Sequence, residues 1–320
     1  MEGRAYSSTA ALMPLPPGHP FPAVKYMLTR EAVCRFLPVL DSKPAPWEVV
    51  ELAHDADYLR RWRFGDVSRQ EERDLGFPWS PQLVFRSLVA VGGTLQAAHD
   101  ALGRGWGLNL SGGTHHAGRA RAAGFCLLND VAITALWAAR AGLRVAILDL
   151  DVHQGDGTAE ITHGDQAIFT VSMHAQVNYP RRKIPSNLDL PLQAGADDKS
   201  YLRVLKEQAI PAVAAFNPEL LLVLNGSDVL AGDRFGRLAL SVAGLLERDR
   251  LVFRAASAAR FPVVSVMSGG YRRDPRETAS AHAGTAWELR SAFGAPGTVW
   301  APRKGLVTAY GPRMPVEDFS

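Results

Sequence analysis

The chain has 320 residues, 47% of them hydrophobic and 21% charged, with a formal net charge of +3. That is the balance of an ordinary soluble globular chain, and the basic residues (Arg119, Arg121, Arg181 and Arg182 among them) are scattered rather than massed into a nucleic-acid-binding block. Two cysteines, Cys34 and Cys126, form no CxxC pair, which excludes a disulfide framework and fits a reducing cytoplasm; no apolar stretch nears membrane-span length, and the opening MEGRAYSSTA lacks a signal peptide's apolar region.

Residues 1–46, with prolines at 14, 16, 17, 20 and 22, read as a surface loop around GHPFP that runs into a helix near 29–37. Residues 47–52 read as a short strand, and 58–62 as helix after His54, Asp55 and Asp57. Pro81 opens an amphipathic helix through Ala101, with Val84, Leu88, Val91 and Leu95 on one face and Gly103 and Gly105 at its end. A short strand at 107–110 runs into Ser111, Gly112, Gly113, Thr114, His115 and His116, and Asn129 or Asp130 caps a helix through Ala141. Apolar runs at 145–148, 167–172, 220–224 and 262–267 read as buried strands. Helices fill 197–216, 241–259 and 276–293, and 179–192 is loop. Alternating buried strands and helices imply a doubly wound parallel sheet in one domain over residues 1–320, with five strands ending in polar, glycine-rich loops. In such sheets the ligand sits outside the carboxyl ends of the strands.

The densest chemistry is RVAILDLDVHQGDGT at 144–158. Residues two apart on a strand share a face, so Asp149, Asp151 and His153 leave the strand pointing the same way. Two carboxylates and an imidazole there are costly to desolvate without a cation, and an O/N donor set without thiolate suits a catalytic divalent ion such as Zn²⁺ or Fe²⁺ rather than a closed structural zinc. Asp151, His153 and Asp233 supply three ligands and leave a position open; the spacing alone does not decide between Asp228 and Asp233, and we take Asp233. Adjacent His115 and His116 read as an acid/base pair, with Asp149 and Asp156 free to orient the two imidazoles. Tyr271, after Gly269-Gly270, would polarise a carbonyl from the side opposite the metal.

The set GGTHHA (112–117), GFCLLND (124–130), DLDVHQGDG (149–157), SDVLAGDRFG (227–236) and SGGY (268–271) resembles the histone deacetylase superfamily across most of the chain. GDRFGRLALSVAGLLERDRLVF, with NYP at 178–180, is most similar to its class IV branch and bacterial relatives. The resemblance implies a three-layer α/β/α arginase/deacetylase fold with a mostly parallel central sheet, and zinc-dependent hydrolysis of an acyl-lysine amide. It implies Asp151, His153 and Asp233 as zinc ligands, His116 as general base and then acid, oriented by Asp156, and His115 as an electrostatic partner paired with Asp149. It also implies Tyr271 at the oxyanion, the Gly124 carbonyl on the substrate N–H, Phe125 and Tyr179 as walls of an acyl-lysine tunnel, and a K⁺ beside Asp149 and Ser172. One departure is the turn Asn225-Gly226-Ser227-Asp228, read as one residue shorter than in relatives, which would shorten the strand before it.

Two other readings compete with a deacetylase acting on acylated proteins. One is an amidohydrolase for a small acylated amine such as an acetylpolyamine, and the other is a non-catalytic acyl-lysine-binding module. Lys25, Arg181, Arg182 and Lys183, taken to lie at the pocket mouth, disfavour a cationic substrate, and no nucleic acid or membrane is implied as a partner.

Overall fold

All five residues of strand β4, Val145–Asp149, are buried, and their side chains divide between two cores. Val145 and Ile147 pack with Ala97, Ala101, Val131 and Ala135, which belong to helices α5 (Pro81–Arg104) and α6 (Asp130–Arg140). Ala146 and Leu148 pack with Val252, Phe253 and Leu289, from α10 (Val242–Ala259) and α11 (Pro275–Phe293). The strict two-residue alternation of strand side chains therefore puts a helical layer on each face. The computed structural model describes residues 3–11 and 13–294, and its eight strands form one sheet in the order β2-β1-β3-β8-β7-β4-β5-β6. Every strand pair in it is parallel.

The strands read from apolar runs are β3 (Trp106–Asn109), β4, β5 (Ile168–Ala175), β7 (Leu220–Leu224) and β8 (Val263–Val266). Three others were not expected. Residues 1–46 contain β1 (Ala5–Ser7) and β2 (Val39–Asp41), three-residue strands too short to show a period. The stretch taken as loop at 179–192 ends in β6 (Leu188–Leu192), which tolerates Pro191 because it is the outermost strand. Residues 47–52 are not a strand: Trp47–Val50 form helix α2, with extended Pro46 at its start and Val50 turned into the core. The first helix, α1, is Val24–Val33 and begins earlier than expected. The helix expected over 197–216 is α8 (Asp198–Val204), a wide turn at Leu205–Ala209 and α9 (Ile210–Phe216). Pro211, in the first turn of α9, has no N–H to continue the regular ladder. Helices α3 (Ala56–Phe64), α4 (Arg69–Leu75) and α7 (Asp156–Thr162) complete the set. The Asn225 turn does not shorten β7, since the Asn225 N–H carries the ladder on to the Val266 carbonyl at 3.0 Å. Among the described residues no helix is long and apolar enough to cross a membrane.

The loop after β3, which carries His115 and His116, is fastened by a buried histidine. His54 Nδ1 lies 2.9 Å from the Gly118 carbonyl, and its Nε2 accepts the Asn129 N–H at 2.9 Å. Asn129 in turn caps α6 through its side chain. These bonds require the neutral ring, and burial pushes the His54 pKa down to about 4. An unfolded histidine titrates near 6.5, so the stabilisation is complete above pH 6.5 and is lost as pH falls from there toward 4. We expect the stability advantage of wild type over His54→Gln to shrink through that window by about 1.4 kcal/mol per pH unit. Denaturant unfolding of both proteins at several pH values measures it, and a constant difference would show that His54 does not titrate on unfolding.

Candidate metal centre and pocket

The carboxyl ends of β4 and β7 bring three ligand-type side chains together. Asp151, His153 and Asp228 are all buried, and one ligand atom from each lies within 4.8 Å of the others. Asp151 Oδ2 accepts the Ser268 hydroxyl at 2.7 Å and the Gly269 N–H at 2.8 Å, while its Oδ1 accepts the His153 N–H at 3.0 Å. Asp228 Oδ1 accepts the Val152 N–H at 3.0 Å, but its Oδ2 is buried with no hydrogen-bond partner and lies 3.4 Å from His153 Nδ1. The backbone presses in on both carboxylates. A side chain at Gly269 would meet Asp228 Oδ2 at 1.9 Å, and one at Gly226 would meet Asp151 Oδ2 at 2.7 Å.

The electrostatics favour a positive charge between these groups. Burial and the neighbouring Asp151 push the Asp228 carboxyl up to about 7. Burial opposes charge on His153, yet its hydrogen bond to Asp151 and the nearby Asp228 outweigh burial and hold it at about 10. An orphaned carboxylate oxygen in an O/N/O set fits a divalent cation, and among the described residues this is the one such cluster.

Asp233 is not part of that cluster. Its Oδ1 accepts the Phe235 and Gly236 N–H groups at 2.9 and 3.0 Å, and its Oδ2 accepts the Tyr271 N–H at 2.7 Å. The structure thus brings Asp228, and not Asp233, within ligand distance of both Asp151 and His153, while the Asp233 carboxylate holds backbone N–H groups, that of Tyr271 among them.

The histidine pair is held as expected from the motifs. His115 Nδ1 is 2.7 Å from Asp149 Oδ2, and His116 Nδ1 is 2.7 Å from Asp156 Oδ1. Asp156 also accepts a bond from Arg121 at 2.8 Å, a guanidinium that the sequence reading did not place here. Burial lowers both imidazoles, but Asp149 and Asp151 overcome it at His115 and raise that ring to about 9. At His116 burial and the adjacent His115 win, and the pKa falls to about 3. Asp149 and Ser172 are register partners on β4 and β5; Asp149 Oδ1 accepts the Asp151 N–H, and the Ser172 hydroxyl bonds His174 Nδ1.

A cavity of about 330 Å³ opens above these groups, lined by His116, Gly124, Phe125, His153, Asn178, Tyr179, Arg234, Phe235, Arg237 and Tyr271. Gly124 and Phe125 both have positive φ, 54° and 68°, in a turn tied to the end of α4 by Gly124 N–H to Asp74 O and Phe125 N–H to Leu75 O. That backbone is strained at Phe125, and the aromatic cluster of Phe21, Phe77, Phe235 and Tyr271 packed around its ring holds it. The Tyr271 hydroxyl has no hydrogen-bond partner among the described residues. Lys25, expected at the mouth, is instead fully buried beneath the Tyr271 loop. Its Nζ donates to the Ser268 and Gly270 carbonyls at 3.4 and 3.2 Å and lies 4.9 Å from the Tyr271 ring centroid.

Residues 19–286 match the model of the histone deacetylase domain. An uncharacterised protein of Picosynechococcus sp. is 40% identical over 84% of this chain and 92% of its own. Histone deacetylase 2 of Arabidopsis thaliana is 32% identical over 80% of this chain and 70% of its own. The crystal structure of an HDAC homologue from Aquifex aeolicus superposes with a TM-score of 0.76 at 24% identity, covering 91% of this chain and 84% of that one, which shows the fold.

The rearranged ligand set is directly testable. Asp228→Ala should lose stoichiometric divalent metal, whereas Asp233→Ala should retain it and lose activity through a displaced Tyr271. Elemental analysis of the two purified variants decides between them; metal lost from Asp233→Ala and kept in Asp228→Ala would reverse the assignment.

Proposed function

The chain belongs to the histone deacetylase family, and from that premise we propose that it hydrolyses the acyl-amide of N-acyl-lysine in proteins, using one divalent metal, zinc, held by Asp151, His153 and a carboxylate of the loop after β7, Asp228 of the buried cluster or Asp233 of the family motif. The observation that carries this reading is that His153 of the buried cluster lines one cavity together with His116 and Tyr271. The ion supplies Lewis acidity toward the acyl carbonyl and the attacking water.

The remaining work falls to side chains. His116 Nδ1 faces Asp156, which fixes the proton there and leaves the Nε2 lone pair for the pocket. A ring with its pKa pushed down to about 3 is neutral at physiological pH, as a general base must be before it takes the water's proton and passes it to the leaving lysine amine. His115, held up at about 9, is cationic in the same range and contributes charge rather than proton transfer. Tyr271, with a hydroxyl free of protein partners, donates to the carbonyl oxygen as it becomes negative. The Gly124 carbonyl accepts the substrate amide N–H, and Phe125 and Tyr179 flank the lysine stem. The K⁺ reading rests on Asp149 and Ser172, side by side in the sheet register.

The mouth favours a protein substrate over a free polyamine. The cavity lining includes Arg234 and Arg237, both exposed, and no carboxylate. Exposed Arg181 and Arg182 follow Tyr179 on the adjoining loop, which Asn178 ties to the Phe235 carbonyl at 2.9 Å. A polyamine would carry its remaining ammonium groups into this field, within about a Debye length of 8 Å.

His116→Ala should lower kcat/KM more than His115→Ala does, and a larger loss at His115 would exchange their roles. Tyr271→Phe should lower kcat by roughly 10²–10³ with metal content and KM little changed; near-normal kcat would reduce Tyr271 to a packing residue. For the substrate class, the test is turnover of acyl-lysine peptides beside acetylated polyamines by zinc-reconstituted enzyme. The peptides should be preferred at least tenfold, and faster polyamine turnover would overturn the reading.

A further inference from the structure

Beside the ligand cluster lies a fully buried ion pair that the mechanism does not use. Arg248 and Asp249, adjacent on α10, both have side chains with no solvent exposure. Arg248 Nε donates to Asp249 Oδ1 at 2.8 Å, and its Nη1 donates to two main-chain carbonyls, Gly226 at 2.8 Å and Leu150 at 3.2 Å. Leu150 immediately precedes Asp151, and Gly226 opens the loop after β7 that carries Asp228 and Asp233. Asp249 extends the grip. Its Oδ1 also accepts the Asn225 side-chain N–H at 2.9 Å, and its Oδ2 accepts the Thr285 hydroxyl of α11 at 2.6 Å. Asn225 is fixed in turn by the Ser265 hydroxyl of β8 at 2.8 Å.

Such a pair is expensive. Burying a guanidinium and a carboxylate costs several kcal/mol per ion, and an apolar pair of similar volume is often as stable, so stability alone is weak grounds for one here. What an apolar pair could not do is hold the carbonyls of two neighbouring strand ends at a fixed separation. A guanidinium can, because its donors form a rigid planar fork. We propose that Arg248 is a positioning residue for the metal centre: it sets the spacing between the Asp151 loop and the loop after β7 that carries Asp228 and Asp233, and so the affinity of the site for a divalent cation. This inference rests on the ligand set proposed above. Outer partners that orient metal ligands typically contribute about 10–100-fold to metal affinity, which sets the expected effect.

The test is a direct titration of the metal-free protein with Co²⁺, read by its visible ligand-field absorption, alongside thermal unfolding of the same metal-free samples. Arg248→Lys keeps the charge opposite Asp249 but replaces the rigid planar fork by one ammonium on a flexible stem. The double variant Arg248→Met/Asp249→Asn removes both charges together, so neither is left buried alone. Arg250→Ala, which breaks the Arg250–Glu288 pair between the same two helices without touching a ligand loop, is the control for loosened packing. We expect both Arg248 variants to unfold cooperatively near the wild-type temperature and to bind Co²⁺ about 10–100-fold more weakly, with Arg250→Ala unchanged. Wild-type affinity in both Arg248 variants would overturn the proposal and leave the ligand set standing. So would equal weakening in Arg250→Ala, or loss of the fold in both metal-free Arg248 variants, which would make the pair purely structural. A wild-type protein that binds no Co²⁺ would instead overturn the ligand set itself, and the proposal with it.

Discussion

Four carboxylates, Asp149, Asp151, Asp156 and Asp228, are buried at one edge of the sheet, and the cost of desolvating them governs everything built around it. Each must find donors that water would otherwise supply. Asp149 takes His115, Asp156 takes His116 and Arg121, and Asp151 takes Ser268, Gly269 and His153. Only Asp228 is left half-satisfied, with one oxygen on the Val152 N–H and the other without a partner. The same requirement that orders the loops therefore singles out the point where a cation belongs. Small residues follow from it too, since any side chain at Gly226 or Gly269 would occupy the space of a carboxylate oxygen.

The parts of this arrangement that could be read from the sequence were those with a period or a run. A five-residue buried strand followed by Asp and His at two-residue spacing announces both its layer and its shared face, which is why β4, β7 and the histidine partners were legible. Strands β1 and β2 were not, because three residues carry no period and their burial depends wholly on the neighbours that flank them. Lys25 was misplaced for a related reason. Its charge marks it as a surface residue unless the carbonyls of Ser268 and Gly270, more than two hundred positions away in sequence, are known to face it.

The placement of Asp228, and not Asp233, beside both Asp151 and His153 is the more instructive case. Both residues follow β7, and both could reach the site in an extended chain. Asp233 sits in the segment Asp233-Arg234-Phe235-Gly236, where a carboxylate can fold back on the N–H groups two and three residues ahead, and it does so. Those two bonds, with the Tyr271 N–H on Oδ2, tie the carboxylate to the backbone around it. Asp228 faces no such competition and lies nearer the strand end, four residues past Leu224. Local hydrogen-bonding opportunity was thus the signal available in the sequence, and distance from the strand end agreed with it.

The histidine pair shows how one constraint yields two roles. His115 and His116 are adjacent, equally buried and each bonded through Nδ1 to a carboxylate at 2.7 Å. What separates them is how much negative charge each ring sees. His115 lies 3.9 Å from Asp151 in addition to Asp149, so two carboxylates overcome its burial. His116 has Asp156 alone, and Arg121 already engages that carboxylate's other oxygen, while the charge on His115 pushes against a second proton one residue away. A cation on the first ring keeps the second neutral. The asymmetry needs no difference in the residues themselves, only the placement of one additional carboxylate and one arginine, and it leaves the neutral ring as the one facing the open pocket.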